Sequence, residues 1–215
     1  QDEVGVVCGL AWTQVGGEIL YVEVNVVNGT GKIELTGSLG DVMKESASAA
    51  ISYIRKRSDL LGIDPDFYKD KDIHVHFPQG AVPKDGPSAG ITMATAITSA
   101  LTGIPVKHDV AMTGEVTIRG RVMAIGGLRE KTMAAYKHGM KTIIIPKENQ
   151  QDLEDVDPAV KEHVQFVFAS TMDDVLDVAL TRQPQPLPPK PDKEEKAESM
   201  PLPAMPKEQG NRICQ

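Results

Sequence analysis

At 215 residues, with 40% apolar and 25% charged side chains, the chain has the composition of a globular protein long enough to bury one large core or two small ones. A net charge of −7 argues against nucleic-acid binding, which shows a basic excess, and no apolar run is long enough to cross a bilayer. The two cysteines, Cys8 and Cys214, stand near opposite ends in no metal or redox motif, which suits a reducing compartment such as the cytoplasm.

In chain order, VGVVCGLAW and EILYVEVNVV read as strands joined at Val15-Gly16-Gly17, a predicted hairpin. SLGDVMKESASAAISYIRKRSDLLG then puts Leu39, Val42, Met43, Ala47, Ala50, Ile51 and Ile54 on one helical face, ended by Gly62 and Pro65. DIHVHFP alternates Ile73, Val75 and Phe77 with His74 and His76, the pattern of a strand with one buried face. PSAGITMATAITSALTG predicts a buried helix closed by Gly103, and DVAMTGEVTIRGRVMAIGG a hairpin turning at Arg119-Gly120. GLREKTMAAYKHG is a helix, KTIIIP and VQFVF are strands, and TMDDVLDVALTR is a last helix capped by Thr171. Strands interleaved with helices, plus hairpins, predict a single α/β (α+β) domain with a mixed sheet over residues 1–182. From Gln183 to Gln215 the composition changes: the segment carries eight of the fifteen prolines, and its five acids balance its five bases. Such a stretch cannot bury enough apolar surface to offset its ordering entropy and is expected to be a disordered, partly polyproline extension. The chain begins at Gln1 rather than methionine, which suggests a piece of a longer protein.

Three motifs bear on chemistry. NGTGK has the look of a phosphate loop, but Val26 stands where the first glycine of GxxxxGK is needed and Ile33 where Ser or Thr should follow, so it is read as a turn. His74-Val75-His76 puts two imidazoles on one strand face without a third marked ligand, so no metal site is expected. PKDGPSAG, residues 83–90, surrounds Ser88 with proline and glycine at the start of a helix. Free N–H groups and the helix dipole there suit an oxyanion, yet they also suit an ordinary capping serine, and this stretch alone leaves both open.

A serine nucleophile needs a base. His74 and His76 precede the serine closely, but spacing marks no third triad member; a neutral lysine is the other choice, although at a pKa near ~10.4 under ~1% of a lysine is neutral at pH 8. Bringing the amine to about 7.5 requires roughly 4 kcal/mol of destabilisation of its charged form. The lysine should therefore sit on an apolar face, near a helix N-terminus and clear of carboxylates. Lys131 meets those conditions: it lies in the first turns of its helix with Leu128, Ala134 and Ala135 on the same face, while Glu130 points elsewhere.

These stretches, with GLAWT, GSLGDVMKESA, HVHFPQGAVPKDGPSAG, MTGEVTIRG and IGGLREKTMAA, resemble the proteolytic domain of Lon, the ATP-dependent serine–lysine protease, over residues 4–180. The resemblance implies an α/β domain of the ribosomal-protein-like superfold, assembled as a homohexamer, and a serine endopeptidase that cleaves unfolded or damaged polypeptides in cytoplasmic quality control. It makes Ser88 the nucleophile, Lys131 the base and Thr113 the hydroxyl that orients the lysine. Asp85 and Gly86 fall in the loop before the nucleophile, and His76 and Glu115 in supporting positions. Leu10, Ala11 and Trp12 become the wall of a substrate groove. It implies no cofactor in this chain; ATP and Mg would act through an ATPase module, which with a substrate-recognition region belongs to a full Lon. Membrane and nucleic acid are not indicated as partners. A latent domain awaiting a partner, a non-catalytic accessory relative and a serine esterase are the alternatives.

Overall fold

The computed structural model describes residues 1–189. The first hairpin pairs β1 (Val6–Thr13) with β2 (Gly16–Asn28) antiparallel, from Val6 opposite Glu23 to Thr13 opposite Gly16. Its turn is Gln14-Val15, earlier than the expected Val15-Gly16-Gly17. Gly17 belongs to the strand because its backbone lies against the Glu130 carbonyl and the Lys131 N–H, where a Cβ would overlap main chain.

A seven-stranded sheet follows in the order β3-β4-β2-β1-β5-β8-β9. Here β3 is Ile33–Thr36, β4 Lys71–His76, β5 Val110–Met112, β8 Thr142–Pro146 and β9 Gln165–Ala169. The β4, β2 and β1 neighbours are antiparallel; β3 beside β4, and the run β1, β5, β8, β9, are parallel. This is the mixed α/β sheet predicted. β6 (Glu115–Val116) and β7 (Val122–Met123) form a separate hairpin. The stretch read as one long hairpin therefore divides. Val110–Met112 joins the main sheet because all three of its residues are buried, as a parallel strand covered on both faces requires.

The apolar run of β8 shows how the layers are built. Ile144 enters a core with Val7, Val22, Val75 and Met112 on one face. Ile143 and Ile145 enter a second core with Leu10, Ala111, Leu128 and Ala135 on the other. Helices α1 (Asp41–Leu61), α3 (Gly90–Thr102) and α6 (Met172–Ala179) cover the first face. Helices α4 (Leu128–Lys137) and α5 (Pro158–His163) cover the second. A short α2 (Phe67–Asp70) precedes β4, and a 3-10 helix spans Lys147–Asp155.

The stop signals act as predicted. Gly62 and Gly103 close α1 and α3 in the left-handed conformation, and Thr171 caps α6 in a reciprocal box with Asp174. The predicted face of α1 is buried from Met43 onward, but Val42 is exposed and Leu39 is buried before the helix begins. NGTGK is a turn whose Thr30 and Lys32 N–H groups both donate to Asp72 Oδ1, so its donors already serve a carboxylate of the protein. After α6, Leu187 N–H donates to Asp59 O at the end of α1. The rest of the predicted extension, 190–215 with Cys214, lies outside the described residues; Cys8 is buried and free.

Candidate active site

The site is built where the β1–β2 hairpin, the 79–88 loop and the start of α4 meet. α4 begins at Leu128, so Lys131 lies in its first turn, its own N–H donating to Gly127 O. Leu128, Ala134 and Ala135 are buried around it, as the periodicity predicts, and the lysine itself is 3% exposed. Burial alone brings its ammonium down to a pKa of about 8. Among the described residues no carboxylate pairs with it. Its amine donates to Thr113 Oγ1 at 3.1 Å.

Thr113 follows β5 and is fully buried, its N–H donating to Ile144 O on β8. Its hydroxyl donates in turn to Ser88 O at 3.4 Å, and Gly114 N–H donates to the same carbonyl at 2.8 Å. One threonine thus ties the lysine amine to the backbone of the serine.

Ser88 is half-buried in the turn before α3 rather than inside the helix. Gly90 N–H closes that turn onto Pro87 O and Ile91 N–H goes to Gly114 O, so Gly90 is not among the free donors expected there. The N–H groups of Ser88 and Ala89 have no hydrogen-bond partner among the described residues. No hydrogen bond joins Ser88 Oγ to Lys131 among them either. The loop ahead of the serine is anchored on α1: Asp85 Oδ1 accepts from Met43 N–H at 3.0 Å, in the first turn of that helix, and from Gly86 N–H at 2.9 Å. Ser46 Oγ donates to Pro87 O at 3.4 Å.

Ser88 and Lys131 line one cavity of about 590 Å³. Leu10, Ala11 and Trp12 form one wall. β5 pairs with β1 only through Cys8 and Gly9, so among the described residues no strand pairs with that side of β1 from Leu10 to Thr13, which leaves it a free sheet edge there. Ala124, Ile125, Gly126 and Gly127 form another wall, and Glu18 and Lys84 also face the cavity. Gly127 has φ +70°, and a side chain there would strike the ring of Trp12, which is 56% exposed.

Two expected supporting residues are not brought in. His76 Nδ1 and His74 Nε2 each lie 2.7 Å from Thr36 Oγ1, on the face of β4 opposite the buried Ile73 and Val75, and neither lines the cavity. Glu115 sits in the β6–β7 hairpin opposite Met123, also outside the lining. Nothing in the sequence pattern singles out the 124–127 wall, Lys84 or Ser46. The Gly126-Gly127 pair was the one available signal, a place where backbone must come close to something.

Residues 1–182 match the family model described as the Lon protease C-terminal proteolytic domain. The chain belongs to that family. It is 61% identical over 180 residues to a Lon protease of Finegoldia magna, covering 84% of this chain and 23% of that protein. It is 61% identical over 184 residues to a Lon protease of Brevibacillus choshinensis, covering 86% and 24%. With Lon protease 1 of Bacillus subtilis the identity is 58% over 180 residues, covering 84% and 23%. This Lon proteolytic domain therefore spans about a quarter of the length of these curated relatives. Among its described residues no cluster of His, Cys, Asp and Glu could hold a metal, and no helix is long and apolar enough to cross a membrane.

Proposed function

We propose that the domain is a serine endopeptidase in which Ser88 is the nucleophile and Lys131 the general base, acting on extended, unstructured polypeptide. The observation that carries this reading is the burial of Lys131, its amine fixed by a neutral hydroxyl in the same cavity that Ser88 lines. Near neutral pH a usable fraction of such an amine is unprotonated, and Thr113 orients it without adding a negative charge that would raise its pKa.

The steps follow from the groups present. Ser88 Oγ attacks the scissile carbonyl carbon while Lys131 Nζ takes the hydroxyl proton. The oxyanion is met by the unpaired N–H groups of Ser88 and Ala89. Collapse breaks the C–N bond, and the Lys131 ammonium returns its proton to the leaving amine. Water, deprotonated by Lys131, then hydrolyses the Ser88 ester and restores the serine. The free edge of β1 at Leu10–Thr13 gives an extended substrate a strand to pair with, which favours unfolded protein over compact substrates or small esters.

In the full-length protein, ATP and Mg2+ act through an ATPase module, a recognition region delivers substrate, and the proteolytic domains assemble as a homohexamer in the cytoplasm. These readings rest on the family and on the greater length of the relatives. One observation favours a second reading, a domain latent until assembly or substrate closes the dyad: Ser88 Oγ is not hydrogen-bonded to Lys131.

The test is nucleotide-free digestion of an unstructured protein and of a stably folded one by the chain and its Ser88→Ala variant. Cleavage of the unfolded protein only, lost in the variant, is expected. Undiminished cleavage by Ser88→Ala would remove the serine from the mechanism, and a fully folded but inactive chain would favour latency.

A further inference from the structure

The wall formed by Ala124–Gly127 is irregular: it follows β7, belongs to no strand, and contains two adjacent glycines. Chain of that kind drifts unless something fixes it. What fixes it is the side chain of Asn149, in the polar 3-10 helix KENQQDLED beyond β8. Its Oδ1 accepts from Ile125 N–H at 2.9 Å and its Nδ2 donates to Ile125 C=O at 2.9 Å, so both main-chain groups of one residue are held by one carboxamide. Nδ2 also donates to Asp152 Oδ2 at 2.6 Å. A carboxylate there only accepts, so Asp152 dictates which end of the amide faces it and hence how Ile125 is held. Asn149 is 3% exposed and Leu153 packs partly buried against the second core, whereas Asp152 and the other residues of the helix are exposed.

We infer that Asn149 is a positioning residue for peptide binding: it stands in for a neighbouring strand, fixing Ile125 and with it the cavity wall that faces the free edge of β1. This rests on the protease reading for its substrate, an extended unstructured polypeptide. Asn149 is absent from the cavity lining and acts only through the wall. Lys131 shares a backbone hydrogen bond with Gly127 of the wall, but its amine is aimed by Thr113, outside the wall, so loosening at Ile125 tells on binding before proton transfer.

The experiment uses the 215-residue chain with Asn149→Ala and Asn149→Asp, and Ser88→Ala as the blank. For a fluorogenic unstructured peptide, KM is expected to rise roughly tenfold or more in both variants, with kcat within about twofold and its pH dependence unmoved, because misplacing a wall costs binding geometry rather than the base. Asp cannot donate to Ile125 C=O and is repelled by Asp152, so it fails like Ala; adding Asp152→Asn to Asn149→Asp restores one donor and part of the affinity. In parallel, amide exchange at Ile125 should accelerate in Asn149→Ala while β8 and α3 stay protected, which separates loosening of the wall from unfolding. An unchanged KM, a shifted pH profile at constant KM, or an Ile125 amide that exchanges as slowly as in the parent would overturn the assignment. Cleavage that persists in Ser88→Ala would sink the dyad alone, since the Ile125 exchange still decides the role of Asn149.

Discussion

Two of the stretches that border the cavity, the 79–88 loop and the 124–131 segment, each bring one lysine to it. They give those lysines different partners. Lys84 is half-exposed and its ammonium donates to two carbonyls of its own loop, Gln79 O at 2.7 Å and Val82 O at 3.1 Å. Partial burial lowers its pKa, and the charge of Glu18 offsets only part of that. It is a staple, spending its charge to hold the turn that precedes Ser88. Lys131 is buried among apolar side chains with one hydroxyl acceptor, and its charged form is the one the site disfavours. A lysine becomes a base by being denied acceptors, and becomes structural by being given them. The same contrast covers the histidines: His74 and His76 are basic groups on a threonine hydroxyl, as Lys131 is, but Thr36 lies outside the cavity and Thr113 touches the Ser88 backbone.

The comparison can be broken most sharply at Lys131. Lys131→Met should lower peptide cleavage by about three orders of magnitude or more, to the level of Ser88→Ala, in steady-state assays of both variants. Thr113→Val should cost roughly ten- to a hundredfold in kcat with KM little changed, because the amine keeps its burial but loses the acceptor that aims it. Its rising pH limb should also move to lower pH, since an ammonium loses more from a missing acceptor than a neutral amine does. Lys84→Met should reduce kcat/KM by about tenfold or less by loosening the loop, and leave the limb where it is.

Stability gives a smaller but independent check. The folded pKa of Lys131, about 8, lies below its unfolded value, so the folded state must keep a proton on a buried amine at low pH. That penalty is present in full below pH 8 and is relieved as pH rises from 8 toward ~10.4, where the unfolded chain still holds the proton and the folded one does not. Lys131→Met should therefore stabilise the protein by about 1–3 kcal/mol near pH 7 and by clearly less near pH 10, read from denaturant unfolding at each pH.

Much of the frame was legible from local signals. Gly62, Gly103 and Thr171 end or begin helices as their chemistry demands, and the run KTIIIP reads as a buried strand and is one. The four-residue β3 was missed because its register comes from β4, forty residues away in the chain, rather than from a pattern of its own. Val110–Met112 reads as part of a hairpin because three apolar residues carry no mark of whether their neighbour is the next strand or a distant one. In the site, helical spacing was enough to put Lys131 in a first turn on an apolar face. Its meeting with Thr113 depends on β5 lying beside β8, and that contact came from family resemblance alone. Asn149 could not have been found either way, since an asparagine in a polar helix looks like any exposed residue until the chain it grips is seen.

The most direct test of the central claim is the pH dependence of kcat/KM for an unstructured peptide from pH 6 to 10, in the parent chain, Lys131→Met and His76→Gln. The structure predicts a rate that climbs on a single group titrating near 8, lost altogether with Lys131→Met and unmoved in position by His76→Gln. A limb near the ordinary histidine range that vanishes in His76→Gln, or cleavage that survives Lys131→Met, would show that the proton of Ser88 goes elsewhere.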